Sequence, residues 1–338
     1  AESTNALLVT TRGMVQRGAA GELCARLADI RFARLIVSPH PDLDWLDGEI
    51  NTLLAENAGI RSVVAYGGGS VMDAAKAVAL ALANRIPSPL NAWLRQGVVR
   101  KELPIPLICI PTTAGTGAEV TPFSTIWDRK LMRKHSLAGN DLFPKMAIEC
   151  PGATESLPPK VTLFGALDAL SHALETLWNR TATPISSLYA RAALERLLGI
   201  LPVPERPTPH QRETLQQAAL FAGLAISQSH TSLSHAMSYP LSLHFGVPHG
   251  LACAVFLPAV LELIEAEKRW TVRPDDEQIA RLRAFFSTWQ AKEILYTYCT
   301  PEDVRRCVPE MMLNSRAATF PLAVDHALLT SLVSEGRV

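Results

Sequence analysis

The sequence predicts a protein of two domains: an α/β N-terminal domain built on a parallel sheet, and an all-helical C-terminal domain. In the first half, short β-type runs alternate with helical segments, a pattern typical of a parallel sheet covered by helices. Beyond residue 157 the periodicity is helical only. A row of polar residues at 168–175 interrupts an otherwise apolar helix. We therefore place the domains at 1–157 and 158–338, long enough for two cores.

Composition limits the class of partner. Lys plus Arg and Asp plus Glu number 32 each, so no excess charge attracts nucleic acid or an anionic membrane, and we expect a small-molecule partner. No uninterrupted apolar run approaches the roughly 20 residues that span a bilayer. The first residues lack the features of a signal peptide, and the six cysteines form no CxxC pair. We expect free thiols in a reducing cytoplasm.

The N-terminal domain is predicted from its strands and the helices that connect them. Strands are expected at 6–10, 34–38, 62–66 and 106–110, and helices at 18–27 and 46–58. The third strand runs directly into Gly67-Gly68-Gly69-Ser70, which opens an Ala-rich helix to about Asn84. Glycines let the backbone approach a ligand, and Ser70 is the predicted N-cap. The free N–H groups of that helix suit a phosphate, although a plain strand-to-helix turn is the alternative.

A second polar loop follows the fourth predicted strand. Thr112, Thr113 and Thr116 supply hydroxyls there, while Gly115 and Gly117 open the backbone. Loops after neighbouring parallel strands meet at the carboxyl edge of the sheet, where open α/β sheets bind ligands. An ordinary surface loop is the alternative for this segment taken alone.

The helical half begins after a proline pair and carries an unusual polar stripe. Pro158 and Pro159 suit a first helical turn, and further helices are expected at 184–198, 212–229 and 250–265. In the first helix Asp168, Ser171, His172 and Glu175 lie at i, i+3, i+4 and i+7, on one face of an otherwise apolar cylinder. A buried carboxylate is costly unless it is paired. A divalent metal ion would satisfy Asp168 and His172 together, whereas a buried Asp–His hydrogen bond is the alternative.

Three of the nine histidines cluster further along the chain. His235 leads an apolar helix that we expect to break at Pro240, and His249 lies in a Pro-His-Gly turn that opens the next helix. We expect His244 to be an ordinary hydrogen-bonded core histidine. Together with the carboxylate and imidazole of the polar stripe, His235 and His249 can surround a divalent ion and leave a position for substrate.

Four motifs together resemble the iron-containing (group III) alcohol dehydrogenases. They are Gly-Gly-Gly-Ser-Val-x-Asp-x-Ala-Lys at 67–76, Thr-Thr-Ala-Gly-Thr-Gly-x-Glu-Val at 112–120, Asp-Ala-Leu-Ser-His-Ala-Leu-Glu at 168–175 and Pro-His-Gly at 248–250. The resemblance runs from the first strand to about residue 260. It implies a Rossmann-like nucleotide-binding domain and a helical metal domain, as in the dehydroquinate synthase-like fold, with the reaction in a cleft between them. The implied ligands of Fe²⁺ or Zn²⁺ are Asp168, His172, His235 and His249.

The same resemblance implies the cofactor residues. The pyrophosphate is expected on Gly68, Gly69 and Ser70, and Lys134 near the ribose. The full expected set is Thr11, Arg12, Gly67, Gly68, Gly69, Ser70, Asp73, Thr112, Thr113, Thr116, Val120 and Lys134. NAD-preferring relatives tend to carry Asp after the first strand, where this chain has Thr10-Thr11-Arg12. With no carboxylate to repel a 2′-phosphate and an Arg to pair with it, NADP(H) is favoured over NAD(H).

Tyr239 departs from the family pattern, in which many members carry a proton-relaying His four residues after the third ligand. A Tyr hydroxyl titrates near pH 10, so we expect it to orient rather than to titrate. Tyr239 and the ligand His249 are the residues expected beside the reacting atoms. The stretch 238–250 resembles the phosphonoacetaldehyde (hydroxyethylphosphonate) reductase branch, which reduces a small aldehyde bearing an anion.

Several activities agree with these motifs. The favoured one interconverts a small aldehyde and its primary alcohol, for example phosphonoacetaldehyde and 2-hydroxyethylphosphonate. The alternatives are another short alcohol–aldehyde pair, a non-redox lyase or cyclase of the dehydroquinate synthase kind, and a cofactor-binding protein without catalysis. The resemblance also implies a homo-oligomer, a dimer or larger.

Overall fold

The chain divides into two compact units. The computed structural model describes residues 4–56, 59–312 and 315–334. One unit consists of the chain up to Thr113 together with Ala118–Thr154, and the other of Ala114–Gly117 together with the chain from Glu155 onward. The boundary expected near residue 157 placed Ala114–Gly117 in the N-terminal domain, whereas this segment packs with the helical unit.

The reason for that difference is a pair of glycine contacts. A Cβ on Gly115 would lie 2.7 Å from the Cα of Gly165, and a Cβ on Gly117 would collide with the Cα of Gly223. Gly117 also has a positive φ of 60°. These glycines therefore allow the loop backbone to lie directly against helices. From the sequence, both glycines were expected to open the backbone of a ligand-binding loop.

The N-terminal unit contains the predicted parallel sheet. The strands are β1 Thr4–Thr10, β2 Ile30–Ile36, β3 Ser62–Gly67, β4 Leu107–Pro111, β5 Phe123–Asp128, β6 Arg133–Ala138 and β7 Met146–Ala147. In the described residues, five of them form a sheet in the order β2-β1-β3-β4-β7, with every neighbouring pair parallel. The remaining two, β5 and β6, form an antiparallel hairpin that the sequence analysis left unassigned.

Helices connect these strands. They are α1 Arg12–Gln16, α2 Ala19–Arg26, α3 Leu43–Ala55 and α4 Gly69–Asn84. The Ala-rich α4 is buried along most of its length because small side chains let it lie close to the sheet. The strand expected at 34–38 begins earlier, at Ile30. It lies at the sheet edge, where Leu35 is its one buried residue, so its start is not marked by the continuous apolar run of a fully buried strand.

The second unit is helical throughout its longer elements. Its helices are α5 Pro159–Trp178, α6 Pro184–Leu198, α7 Pro209–Ser229, α8 Leu233–Phe245, α9 His249–Ala254, α10 Leu257–Ala266, α11 Asp276–Thr288, α12 Ala291–Leu295, α13 Pro301–Arg306, α14 Val308–Met312 and α15 His326–Ser334. The first of them, α5, begins at Pro159 as expected and packs against α6, α7 and α9. Its C-terminal two thirds are buried, so its polar stripe lies inside the core.

Two predicted helix boundaries in this unit are wrong, and both involve prolines. Pro240 lies inside α8 and does not end it, because the surrounding core holds this buried segment helical despite the missing N–H. The helix expected at 250–265 is instead two helices, α9 and α10. The interruption at Val255–Phe256 precedes Pro258, which cannot donate to the carbonyl of Ala254.

One stretch in the described residues is long and apolar enough, by length and composition, to cross a membrane. This stretch, His249–Ala266, has 67% of its residues buried inside the protein. It comprises α9 and α10, and most of their apolar side chains belong to the helical core.

Candidate metal centre

The polar stripe of α5 is buried, and its members find partners on other helices. Asp168, His172 and Glu175 are each less than 5% exposed. Ser171 is satisfied locally, since its Oγ donates to the carbonyl of Leu167 at 2.8 Å. The other three residues therefore need polar groups from elsewhere, and these come from α8 and α9.

Three imidazoles surround one carboxylate oxygen. Oδ1 of Asp168 lies 3.6 Å from Nε2 of His172, 3.6 Å from Nε2 of His235 and 3.8 Å from Nε2 of His249. These separations are too long for hydrogen bonds. Ligand atoms bound about 2.0–2.2 Å from one ion lie about 3–4 Å apart, so the spacing fits a shared cation. Asp168 Oδ1 and His235 Nε2 are buried and have no hydrogen-bond partner in the described residues.

Glu175 orients His235. Its Oε2 accepts a hydrogen bond from Nδ1 of His235 at 2.7 Å and from the backbone N–H of Ser232 at 2.8 Å, while Oε1 accepts from the backbone N–H of His235 at 3.1 Å. The carboxylate thus caps the N-terminus of α8 and assigns the ring proton to Nδ1, which leaves the Nε2 lone pair facing Asp168. From the sequence, Glu175 was expected only as a member of the polar stripe, with no role of its own.

Burial and neighbouring charges set the protonation states of His172, Asp168 and Glu175. Burial lowers the pKa of His172 to about 4, so the ring is neutral at pH 7. Burial acts to raise the pKa of Asp168, but the imidazoles of His172, His249 and His235 outweigh it and lower this pKa. Burial likewise acts to raise the pKa of Glu175, and His235 with the two backbone N–H groups lowers it. Both carboxylates are therefore ionised near neutral pH.

The first turn of α9 carries His249 to the centre. The helix begins at His249, as the Pro-His-Gly turn predicted. A Cβ on Gly250 would overlap the carbonyl oxygen of Phe164, so only glycine lets α9 lie this close to α5. The ring of His249 is edge-on to the ring of His235, with centroids 5.3 Å apart.

Cys253 is a further donor that the sequence analysis missed. It lies one turn after His249 on α9, and its Sγ is 3.7 Å from His249 Nδ1 and 3.8 Å from His249 Nε2. Donor atoms of Asp168, His235, His249 and Cys253 all lie within 4.8 Å of one another. The expected ligand His172 is outside this tightest group, and its ring stacks on His235 with centroids 4.7 Å apart. The sequence feature that could have identified Cys253 was its i, i+4 spacing from His249 on one helix.

Tyr239 and Arg316 lie beside the histidines. The ring of Tyr239 is nearly parallel to that of His249, with centroids 6.4 Å apart, and the guanidinium of Arg316 lies 5.3 Å from the Tyr239 ring centroid. Arg316 also donates to the hydroxyl of Thr231. Burial raises the pKa of Tyr239, so its hydroxyl stays protonated at neutral pH. His244 is hydrogen-bonded to Glu310, at 2.8 Å, but at the surface rather than in the core.

In the N-terminal unit, the Gly-rich and Thr-rich loops meet at the carboxyl edge of the sheet. Gly67 pairs with Pro111, and the N–H of Thr112 donates to the Gly67 carbonyl at 3.0 Å. A Cβ on Gly68 would lie 2.9 Å from Cγ2 of Thr113, so glycine at this position lets the two loops pack directly against each other. This arrangement fits a cradle for a dinucleotide pyrophosphate at the α4 N-terminus.

The predicted role of Ser70 as N-cap is wrong. Gly68 is the N-cap of α4, and Ser70 lies in the first helical turn. Its hydroxyl instead accepts from the backbone N–H of His40 at 3.3 Å. The helix begins early because a single residue, Gly68, separates the end of β3 from the start of α4. Ser70 thus lies beside the proposed pyrophosphate site, where its hydroxyl links α4 to the loop after β2.

The remaining expected cofactor residues lie on several elements. Thr11 is the N-cap of α1, where its hydroxyl accepts from the N–H of Met14, and Arg12 is the exposed first residue of that helix. Asp73 lies in the second turn of α4, and Val120 ends a short 3₁₀ turn. Thr116 belongs to the other unit.

Lys134 lies on the hairpin strand β6, with its Nζ 5.1 Å from the ring centroid of Trp127. The ring of Trp127 in turn lies edge-on to His40, with centroids 5.0 Å apart. Through His40, whose N–H reaches Ser70, these side chains connect the hairpin to the loop that opens α4.

Both units match one family of enzymes. The model of the iron-containing alcohol dehydrogenases matches residues 1–151, and the model of the C-terminal region of the Fe-containing alcohol dehydrogenase family matches residues 162–288. The chain belongs to the iron-containing alcohol dehydrogenase family, and its parallel sheet and helical unit are the fold of that family.

Individual relatives agree with this assignment. The chain is 41% identical over 206 residues to phosphonoacetaldehyde reductase of Streptomyces viridochromogenes, covering 59% of this chain and 52% of that protein. It is 40% identical over 206 residues to the probable alcohol dehydrogenase EutG of Salmonella typhimurium, covering 60% and 51%. The chain thus spans about half the length of the curated relatives it matches.

A solved structure is similar along nearly the whole chain. Sulfoacetaldehyde reductase from Bifidobacterium kashiwanohense, in complex with NAD⁺, superposes with a TM-score of 0.84 at 27% identity, covering 98% of this chain and 90% of that chain. An iron-containing alcohol dehydrogenase of Thermotoga maritima superposes with a TM-score of 0.81 at 27% identity, covering 98% and 91%.

Proposed function

We propose that this protein is a metal-dependent, NAD(P)H-linked oxidoreductase that interconverts a small aldehyde and its primary alcohol. The observation that carries the proposal is the convergence of three imidazoles on Oδ1 of Asp168, in a site where this oxygen and Nε2 of His235 are buried without a hydrogen-bond partner among the described residues. Buried polar atoms without hydrogen-bond partners lower the stability of an ordinary protein core. A divalent cation bound to these atoms would remove that loss of stability.

Each residue of the centre has a task in this reaction. The ion would be held by Asp168, His235 and His249, with His172 beside them, and it would supply positive charge to stabilise the substrate oxygen during hydride transfer. Glu175 keeps Nε2 of His235 available for this purpose. The Tyr239 hydroxyl, protonated at neutral pH, orients the substrate oxygen by hydrogen bonding.

The cofactor is proposed to bind by its pyrophosphate at Gly68, Gly69 and Ser70, because the α4 N-terminus begins there with Gly68 as N-cap and no side chain capping it. NADP(H) is proposed over NAD(H), because the exposed Arg12 follows β1 at the same sheet edge and can pair with a 2′-phosphate. Iron is the proposed ion, with zinc also compatible with imidazole and carboxylate ligands.

The substrate is proposed to be an aldehyde that carries an anionic group. Arg316 contributes positive charge near His172, His230 and Tyr239, whose pKa values it lowers in part. A guanidinium pairs well with the oxygens of a phosphonate or sulfonate. Two similar proteins are named for aldehydes of this kind, phosphonoacetaldehyde and sulfoacetaldehyde. The proposed reaction is therefore the reduction of phosphonoacetaldehyde to 2-hydroxyethylphosphonate, or of a close analogue.

The test compares aldehydes in metal-loaded protein. NADPH oxidation is measured with phosphonoacetaldehyde, sulfoacetaldehyde and propanal, before and after treatment with a chelator. We expect kcat/KM to be higher for the two anionic aldehydes, and all turnover to disappear with the metal. Preference for propanal would favour a plain alcohol dehydrogenase, as the similarity to the probable alcohol dehydrogenase EutG allows. Absence of net NADPH or NADH oxidation would favour a non-redox or non-catalytic relative.

A charge variant tests the anion contact separately. Arg316→Gln should raise KM for the anionic aldehydes by about one to two decades, because a charge-assisted hydrogen bond contributes roughly 1.5–3 kcal/mol. KM for propanal should stay unchanged. Arg305→Gln is the matched control, since Arg305 pairs with Glu302 at the surface. An equal rise for propanal would assign Arg316 to packing against Tyr239 rather than to the anion.

A further inference from the structure

We infer that Cys253 is a ligand of the metal ion, as a thiolate beside the carboxylate and imidazoles of the centre. This inference rests on the metal site in the proposed function. It adds a donor of a different chemical class to the set expected from the sequence.

The geometry that supports it comes from α9. His249 and Cys253 lie one helical turn apart on this short helix and so share a face. Cys253 is fully buried, and its sulfur lies 3.7–3.8 Å from the two ring nitrogens of His249. Within the described residues, the group of possible metal donors that lie within 4.8 Å of one another consists of Asp168, His235, His249 and Cys253.

A buried cysteine is often only a small apolar side chain. The surroundings of Cys253 are polar, however, since its neighbours include the rings of His235 and His249, the carboxylate of Asp168 and the hydroxyl of Ser238. Other buried cysteines of this unit, Cys299 and Cys307, lie in the hydrophobic core cluster and have no metal-donor group around them in the described residues. The position of the sulfur therefore agrees better with a metal ligand than with an apolar side chain that only packs in the core.

Ligation has a defined balance of charge and protons. As the sulfur–metal bond forms, the S–H bond breaks and one proton leaves for solvent. Two anionic donors, Asp168 and Cys253, then neutralise a divalent ion, while His235 and His249 bind as neutral rings. A soft thiolate favours Zn²⁺ relative to Fe²⁺, compared with a site of nitrogen and oxygen donors alone.

The test uses cobalt in the full-length protein. Co²⁺ bound by a thiolate has an intense near-ultraviolet charge-transfer band that nitrogen and oxygen ligands do not produce. We expect this band in the Co²⁺-loaded protein, its loss in Cys253→Ser with cobalt still bound, and its retention in Cys307→Ser. We also expect metal binding to release one proton fewer in Cys253→Ser. A band that persists in Cys253→Ser, or is absent from cobalt-loaded wild-type protein, would overturn the inference.

A measurement on unmodified protein covers the case in which the variant fails to fold. X-ray absorption of the zinc-loaded protein should contain one sulfur scatterer at about 2.3 Å from zinc. A shell of nitrogen and oxygen alone would reject Cys253 as a ligand but leave the metal centre of the proposed function intact. Failure of the protein to bind cobalt or zinc at all would instead reject the centre itself, and this inference with it.

Discussion

Asp168 is the residue on which the candidate centre depends, because its Oδ1 lies within 3.8 Å of all three imidazoles. We expect Asp168→Ala to abolish metal binding, measured as metal per chain after dialysis. His172→Ala should weaken binding less, since His172 lies outside the tightest donor group. Circular dichroism checks that both variants fold. Equal metal content in wild-type protein and Asp168→Ala would contradict this assignment.

Tyr239 lies where the family resemblance leads us to expect a histidine, and its raised pKa argues against titration near neutral pH. We expect Tyr239→Phe to lower kcat by about tenfold, because one hydrogen bond contributes roughly 0.5–1.5 kcal/mol. Metal content should not change. A loss of about 10²–10⁴ with metal preserved would instead identify Tyr239 as the proton donor.

Arg12 is the residue proposed to select the cofactor. It is exposed at the start of α1, next to the strand that leads into the Gly-rich loop. Arg12→Asp should raise KM for NADPH by about one to two decades, through loss of a charge-assisted pair and gain of a repulsive carboxylate. KM for NADH should change little, and Arg26→Asp, on the exposed surface of α2, serves as the control. An unchanged ratio of the two KM values would remove Arg12 from the cofactor site.

At the scale of elements, the turn from β3 into α4 requires glycine for a local reason. A Cβ on Gly68 would lie 2.9 Å from Cγ2 of Thr113, so the substitution must displace the neighbouring loop. We expect Gly68→Ala to weaken NADPH binding, measured by cofactor fluorescence. Gly48→Ala is the matched control, because nothing lies within 4 Å of its Cβ, and alanine inside α3 should stabilise by roughly 0.5–1 kcal/mol. Equal NADPH affinity in the two variants would argue against binding of the pyrophosphate at Gly68.

At the scale of the whole molecule, a buried carboxyl group links stability to pH. Both carboxyl oxygens of Glu149 are buried without a hydrogen-bond partner in the described residues, and burial, with a smaller effect of Glu119, raises the pKa of Glu149 to about 8. The folded protein therefore holds this proton between about pH 4.5 and 8, where the unfolded chain releases it. The contribution of Glu149 to the free energy of unfolding is therefore fully present below about pH 4.5 and is lost as the pH rises to about 8.

Glu149→Gln removes that titration. We expect the midpoint of thermal unfolding to fall less between pH 5 and pH 8 in this variant than in wild-type protein, and the variant to be the more stable of the two at pH 8. Glu262→Gln, at a surface pair with Arg283, is the control for loss of a carboxylate. Parallel pH profiles for wild-type protein and Glu149→Gln would show that Glu149 ionises normally in the folded state.

Local patterns in the sequence determined the fold class and the order of the elements. Hydrophobic period distinguishes strand from helix within a few residues, and glycine and proline mark the turns, so the parallel sheet and the helical unit follow from short segments. The polar residues of α5 also stand out locally, because a carboxylate and an imidazole in an apolar helix contradict their surroundings. Where local rules failed, as at Pro240 and Ser70, packing or a neighbouring glycine outweighed the propensity of one residue.

Contacts between distant segments decided the rest. Nothing near Glu175 in the chain indicates that it caps α8 and orients His235, 60 residues away. The sulfur of Cys253 and the guanidinium of Arg316 become relevant only because α9 and the 3₁₀ turn Ser315–Thr319 pack beside α8. Likewise the sequence around Gly115 and Gly117 indicates a ligand-binding loop, because the helices that pack against these glycines lie far away in the chain. Periodicity reports which face of a segment is buried, but only the packed structure determines which side chains share that buried space.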